Sequence, residues 1–171
     1  MAATVQAQAG TGSSVTWANA EGGVKWNLDD SISGTTPVAI PTATGTVFSW
    51  LKNLVLSVTA TSTTTITNRT VKMSASLPTG LALWWKTVAV GSYAQAGSGN
   101  RPASSGSNGA TPAGYTSMTT TAQQYDNTSV ATSSTGPNGS MCVIVGAADN
   151  TYVGGAGVIS LGNVILSYDE A

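Results

Sequence analysis

The residues able to do chemistry in this chain are few, and the first observation is an absence. There is no histidine among the 171 residues, so Ser–His and Cys–His activation of a nucleophile has no base. The lone Cys142 sits in "SMCVIVGA" and reads as a small buried hydrophobe. One cysteine without histidine also fails the usual zinc ligand sets. Acid–base work would fall to seven carboxylates: Glu21, Asp29, Asp30, Asp126, Asp149, Asp169 and Glu170. Asp29 and Asp30 are adjacent, so a strand would point them to opposite faces. Asp169 and Glu170 lie at the end of the sequence. Neither pair resembles the facing carboxyls of a glycosidase, and the reading is not an enzyme.

Two short segments, "YDNTS" at 125–129 and "ADNTY" at 148–152, share Asp-Asn-Thr. Asp126, Asn127, Asp149 and Asn150 are oxygen donors of the kind calcium takes. The competing reading, two Asx-turns at strand ends, is favoured because Asp and Asn readily bond their own backbone. "GGAGVISLG" lacks the lysine of a phosphate-binding loop and does not open a helix, so it reads as a Gly-rich turn. No cofactor is called for. Of five tryptophans, Trp84 and Trp85 are neighbours and must face opposite sides of a strand. Each tryptophan reads first as core; Trp17, Trp84, Trp85 and Tyr115 are the candidates for contact with a partner chain, since large aromatics are enriched at interfaces. An exposed Trp or Tyr would alternatively offer a platform for a sugar.

Charged residues make up 8% of the chain, against about 25% in an average domain, and the net charge is −1. That balance carries no footprint for nucleic acid or an anionic membrane. No apolar run approaches the ~20 residues of a membrane helix. The N-terminus has neither the basic nor the apolar region of a signal peptide, and synthesis in a cytoplasm is expected.

The elements that must carry these residues are strands. Val24, Trp26 and Leu28 alternate with polar residues and predict a half-buried strand. "VFSWLKNLVLSVTAT" predicts a helical turn over Val47 to Asn53 and a strand after it. Leu54, Leu56 and Val58, then Val71, Met73, Ala75 and Leu77, flank a threonine run and read as two partner strands with one polar face. "LALWWKTVAV" is apolar on both sides and suits a central strand. Residues 91–140 are rich in Gly, Ser, Asn and Pro, and form a long insertion that must be functional or pinned in place. "SMCVIVGAADN" and "GVISLGNVILSYDEA" supply closing strands. The expected architecture is an all-β antiparallel sandwich, with a barrel as the alternative. Residues 1–16 are expected to form an extended N-terminal arm, and 17–171 a single β domain with the insertion at about 91–140.

The stretches "GVKWNLDDSISGTTPVAIPTATGT", "SWLKNLVLSVTATSTTTITNRTVKMSAS", "GSGNRPASSGSNGATPAGYTSM" and "DNTYVGGAG" resemble, in style and composition, small β-rich structural proteins of tailed-bacteriophage virions. The resemblance implies a non-enzymatic capsid decoration (cement) protein that binds the capsid lattice. Tail, neck or baseplate proteins are the alternative, and a carbohydrate-binding module or adhesin the second alternative. It further implies a homo-oligomer, a trimer first, with the major capsid protein or other virion proteins as partners and the virion as the location. No residue's role follows from it, because no defined motif is matched. A crowded lattice would account for the low charge: neighbours cover the surface, and hydroxyls hydrogen-bond there without the desolvation cost of ions.

Overall fold

The computed structural model describes residues 2–154 and 164–171. Strands in them are β1 (Thr4–Thr11), β2 (Thr16–Asn19), β3 (Thr46–Phe48), β4 (Lys52–Ala60), β5 (Thr65–Met73), β6 (Leu81–Ala89), β7 (Thr116–Ser117), β8 (Gln123–Asp126), β9 (Val130–Ala131), β10 (Gly136–Pro137), β11 (Ser140–Asp149) and β12 (Val164–Glu170). They form two antiparallel sheets, and neither closes into a barrel. The larger runs β2-β1-β4-β11-β6-β7, with β10 on β4 and β3 on β11. The smaller runs β12-β5-β8, with β9 on β5. This is a sandwich-like all-β fold.

Strand β11 organises it. "SMCVIVGAAD" is apolar at both odd and even positions, and nine of its ten residues are buried. Cys142, Ile144 and Ala148 face the smaller sheet, where they join Leu54, Leu83 and Trp85 against Val71 and Tyr125. Met141, Val143, Val145 and Ala147 face the other way and pack with Phe48, Leu51, Val55 and Trp84. The edges of β11 are as fully used as its faces. Its pairing with β6 is continuous from Ser140↔Ala89 to Ala148↔Leu81, while β4 and β3 share the opposite edge. Between these two, Ser49 fills the gap: its N–H donates to the Gly146 carbonyl (2.8 Å), and its Oγ accepts the Gly146 N–H (2.9 Å). The chain breaks from strand there, where a helical turn was expected.

The outer face of the large sheet is covered by the insertion. Ala96 is buried in that second core, with Val90, Tyr93 and Tyr115 packed against it. The first half of the insertion is irregular after a single 3₁₀ turn at Val90–Ser92. Its second half is not loop: it contributes β7, β8, β9 and β10 to both sheets. Gly- and Ser-rich chain is held here by backbone partners. Ser105 and Thr46 exchange two backbone hydrogen bonds of 2.8 and 2.9 Å, and Thr46 Oγ1 donates to the Ser107 carbonyl.

Three further expectations are corrected. Residues 1–16 are not an arm that leaves the domain. Strand β1 lies inside the large sheet between β2 and β4, paired with β4 from Thr4↔Ala60 to Gly10↔Asn53 with one register shift between Thr4 and Val5. Val24 to Leu28 are not a strand, because Trp26 and Asn27 are buried within an irregular segment over 20–45. Finally, the two alternating runs around the threonines are not partners. Strand β4 belongs to the large sheet and β5 to the small one, so the threonine run is a corner between sheets. Its hydroxyls serve that corner: Thr132 Oγ1 donates to the Thr64 carbonyl (2.7 Å), and Thr64 Oγ1 donates to Glu170 (2.6 Å). The closing strand begins at Val164. The rest of "GVISLGNVILSYDEA" before it, and most of the Gly-rich turn, lie outside the described residues.

Removing residues 4–11 would strip β4 of its partner strand between Asn53 and Ala60 and open the core cluster that Ala9 shares with Leu54 and Trp26. The expected result is loss of cooperative unfolding, or a melting temperature lower by about 10 °C or more, read by circular dichroism. An unchanged melting curve would mean that β1 is dispensable to the sheet.

Candidate interaction surface

Two of the six cations are buried inside the domain, and each fastens a loop. Lys52 opens β4, and its Nζ donates to Asn27 Oδ1 (2.8 Å) and to the carbonyls of Asp29 (2.6 Å) and Ser31 (2.9 Å). Three donors meet three acceptors, and the 20–45 segment is folded around them. Burial pushes the Lys52 ammonium down to about 8, against the pull of Asp30 and Asp29. Arg69 is fully buried. It reaches the interior because Asn68 adopts a left-handed conformation (φ 46°) at an irregularity in the β5–β8 pairing. Asparagine tolerates that region better than most residues, and such a bulge re-aims the side chain beside it. Arg69 then pairs with Asp126 at 2.5 Å and donates to the carbonyls of Asn138 (2.9 Å) and Thr128 (3.3 Å).

The carboxylates are equally engaged. Asp29 accepts the Thr36 N–H, and Asp30 accepts those of Gly12 and Ala96. Asp169 accepts Asn68 Nδ2, and Glu170 accepts the Ala3 N–H and the Thr64 hydroxyl. Asp126 Oδ1 takes the Thr128 N–H (2.7 Å), and Asp149 Oδ1 takes the Thr151 N–H (2.9 Å). Both are the Asx-turns that the repeated Asp-Asn-Thr suggests. Asp149 Oδ2 also takes the Gly109 N–H of the insertion. The four calcium candidates are not brought together. Asp126 and Asn127 end β8 in the small sheet, whereas Asp149 and Asn150 end β11 in the large one. Among the described residues no three His, Cys, Asp or Glu side chains cluster as a metal site. Burial pushes the Cys142 thiol far up, so it is held as the neutral thiol.

The aromatic candidates divide by face. Trp85 points to the inter-sheet core, and its Nε1 donates to Gln123 Oε1 (3.2 Å). Trp84 points to the outer core, where its Nε1 is buried without a partner. Both are 8–9% exposed, so both are core residues, covered within the chain itself. Trp17 is half-buried in the second core and meets Tyr93 edge-on, with ring centroids 5.9 Å apart. Gly10 admits this pair, since a Cβ there would lie 2.9 Å from each ring. Tyr115 is half-buried, with Lys86 Nζ 4.7 Å from its ring centroid. Tyr93 and Lys52 were not legible as organisers, because their partners lie distant in sequence.

Beside the small sheet, the sandwich opens into a cleft of about 560 Å³ between β12 on one side and β1 and β4 on the other. Val5, Ala7, Leu54, Leu56, Val164 and Leu166 line much of it. The chain matches no protein-family model, no curated protein and no solved structure.

Two predictions follow from the ionic contacts. Asp126→Ala would leave the buried Arg69 guanidinium without its counter-charge, and unfolding free energy should fall by about 3–5 kcal/mol in urea titrations. A loss under about 1 kcal/mol would show that the carbonyl acceptors suffice. Acid is the second test. Burial raises Asp126, but hydrogen bonds from Ser140 and Thr128 and the charge of Arg69 bring it net below the ordinary carboxylate value. Asp149 is lowered first by the Thr151 hydroxyl and Glu170 first by that of Thr64. A carboxyl lowered on folding stabilises fully above its unfolded value, and that contribution is lost as pH falls through the folded one. Stability should therefore be flat from neutral pH to about 5 and decline below about 4. A urea midpoint constant down to pH 2 would contradict this.

Proposed function

We propose that this chain is a non-enzymatic structural subunit of a tailed-phage virion, acting as a capsid decoration protein that binds and stabilises the capsid lattice. One observation carries the reading. Six of the seven carboxylates hydrogen-bond within the chain, and two of the six cations are buried. With charged residues at 8% of the chain and Lys52, Arg69, Asp126 and Asp149 buried, the surface carries few charges, Glu21, Lys25, Asp169 and Glu170 among them, beside many threonine, serine and asparagine side chains. Such a surface is poorly protected by charge against association. It offers many neutral hydrogen bonds to a neighbour with little desolvation cost. The expected working form is a homo-oligomer, a trimer first, seated on the major capsid protein. The engaged carboxylates and the neutral thiol of Cys142 favour a structural role over a catalytic one.

A tail, neck or baseplate role is the second reading, and β12 favours it. Among the described residues this seven-residue strand forms an edge of the small sheet. Open edges pair with strands of other chains, which would propagate copies into rings or tubes.

The test is light scattering of the purified protein alone and with empty phage capsids. Monomers or trimers that co-sediment with capsids to saturation are the expected outcome. Rings or tubes without capsid affinity would transfer the protein to the tail. A monomer that ignores capsids and forms no assembly would overturn both.

A further inference from the structure

Lys86 and Arg101 are cations that the structure leaves without a carboxylate, and both line one cavity. It measures about 440 Å³ and lies between Lys86 of β6, Phe48 at the end of β3 and the insertion. The size is that of small-ligand sites, roughly 300–1,000 Å³. No carboxylate is among the described residues that line it. Each cation is held in place by a neutral group. Lys86 Nζ sits over the Tyr115 ring at 4.7 Å, and Arg101 Nη1 donates to the Phe48 carbonyl at 3.2 Å. The Arg101 fork keeps its remaining donors for another acceptor. In a chain whose acids are almost all engaged internally, two held cations facing the same cavity mark a site for an anion.

The rest of the lining narrows the class. Asn100, Ser105 and Thr111 bring neutral hydrogen-bonding groups, while Pro102, Pro112 and Phe48 bring apolar surface. A ligand that uses all three chemistries has a carboxylate, several hydroxyls and a C–H face. We propose that this cavity binds an acidic sugar residue. Arg101 would take the carboxylate through its fork, and Lys86 would add a point charge. The apolar residues would take the ring face. The site is concave and of one-to-two-ring size, which favours a saccharide over the flat face of a partner protein. It stands independently of the virion role.

The experiment is ligand-observed NMR on the full chain with sodium glucuronate and N-acetylneuraminate, against glucose and glutarate. At least one acidic sugar should bind about tenfold tighter than both comparators. Arg101→Gln and Lys86→Gln should each weaken that binding about tenfold while the melting temperature holds. Glucuronate and N-acetylneuraminate no tighter than glucose would remove the anion from the site. Glutarate binding equally well would make it a plain carboxylate hole and overturn the sugar. Binding unchanged in both variants, or no binding of either acidic sugar, would overturn the site itself.

Discussion

Everything in this fold answers to a strand that is apolar on both faces. Strand β11 exposes neither side to water, so the domain must cover it twice. The small sheet covers one side. Among the described residues no third sheet covers the other, and the insertion lies there. Tyr93, Ala96 and Tyr115 project from the Gly/Ser-rich insertion onto the outer core. The insertion's length follows from that task, and so does the need to hold it. A segment this rich in glycine loses much conformational entropy on ordering. Its backbone is accordingly tied to Thr46, Asp149 and Asp30.

Loops that cover a core need fixed anchors, and here the anchors are ions. A carboxylate that accepts backbone N–H groups, or an ammonium that meets three oxygens, makes charge-assisted bonds stronger than neutral ones. Lys52 does this for residues 27–31, Asp30 joins the end of β1 to the insertion, and Arg69 gathers Asp126, Thr128 and Asn138. Lys52, Arg69, Asp126 and Asp149 are buried in doing so and add little charge to the surface. The low charge content and the irregular coverage are thus two sides of one design. Few ions are present, and most hold loops in place.

What the sequence revealed tracks how local each determinant is. The two-faced character of β6 and β11 was readable, because runs such as "LALWWK" and "CVIV" carry it in adjacent residues. Trp84 and Trp85 fall on opposite faces for that reason alone. The Asx-turns at Asp126 and Asp149 were readable too, since the bond spans two residues. The sheet to which β5 belongs was not. Its alternation is broken at Asn68, where the irregularity turns Arg69 inward, and its partners β12 and β8 lie far along the chain. Strand β1 was hidden by composition: "TVQAQAGT" has almost no large hydrophobe, and its place rests on backbone pairing with β4. The loop around Trp26 imitates a strand's alternation, yet a buried ammonium twenty-five positions away sets its path.

A neutral polar surface and a cationic cavity differ in how they respond to salt. Hydroxyl and amide contacts owe little to long-range charge, so an assembly built on them should keep its affinity as ionic strength rises. Exposed charges are screened over a Debye length of about 8 Å at physiological salt. Recognition through Lys86 and Arg101 should therefore weaken steadily with added salt. The cavity is lined mainly by residues 100–115 of the insertion, with Lys86 and Phe48 beside them. Its unpaired positive charge stays available for a ligand of the opposite sign.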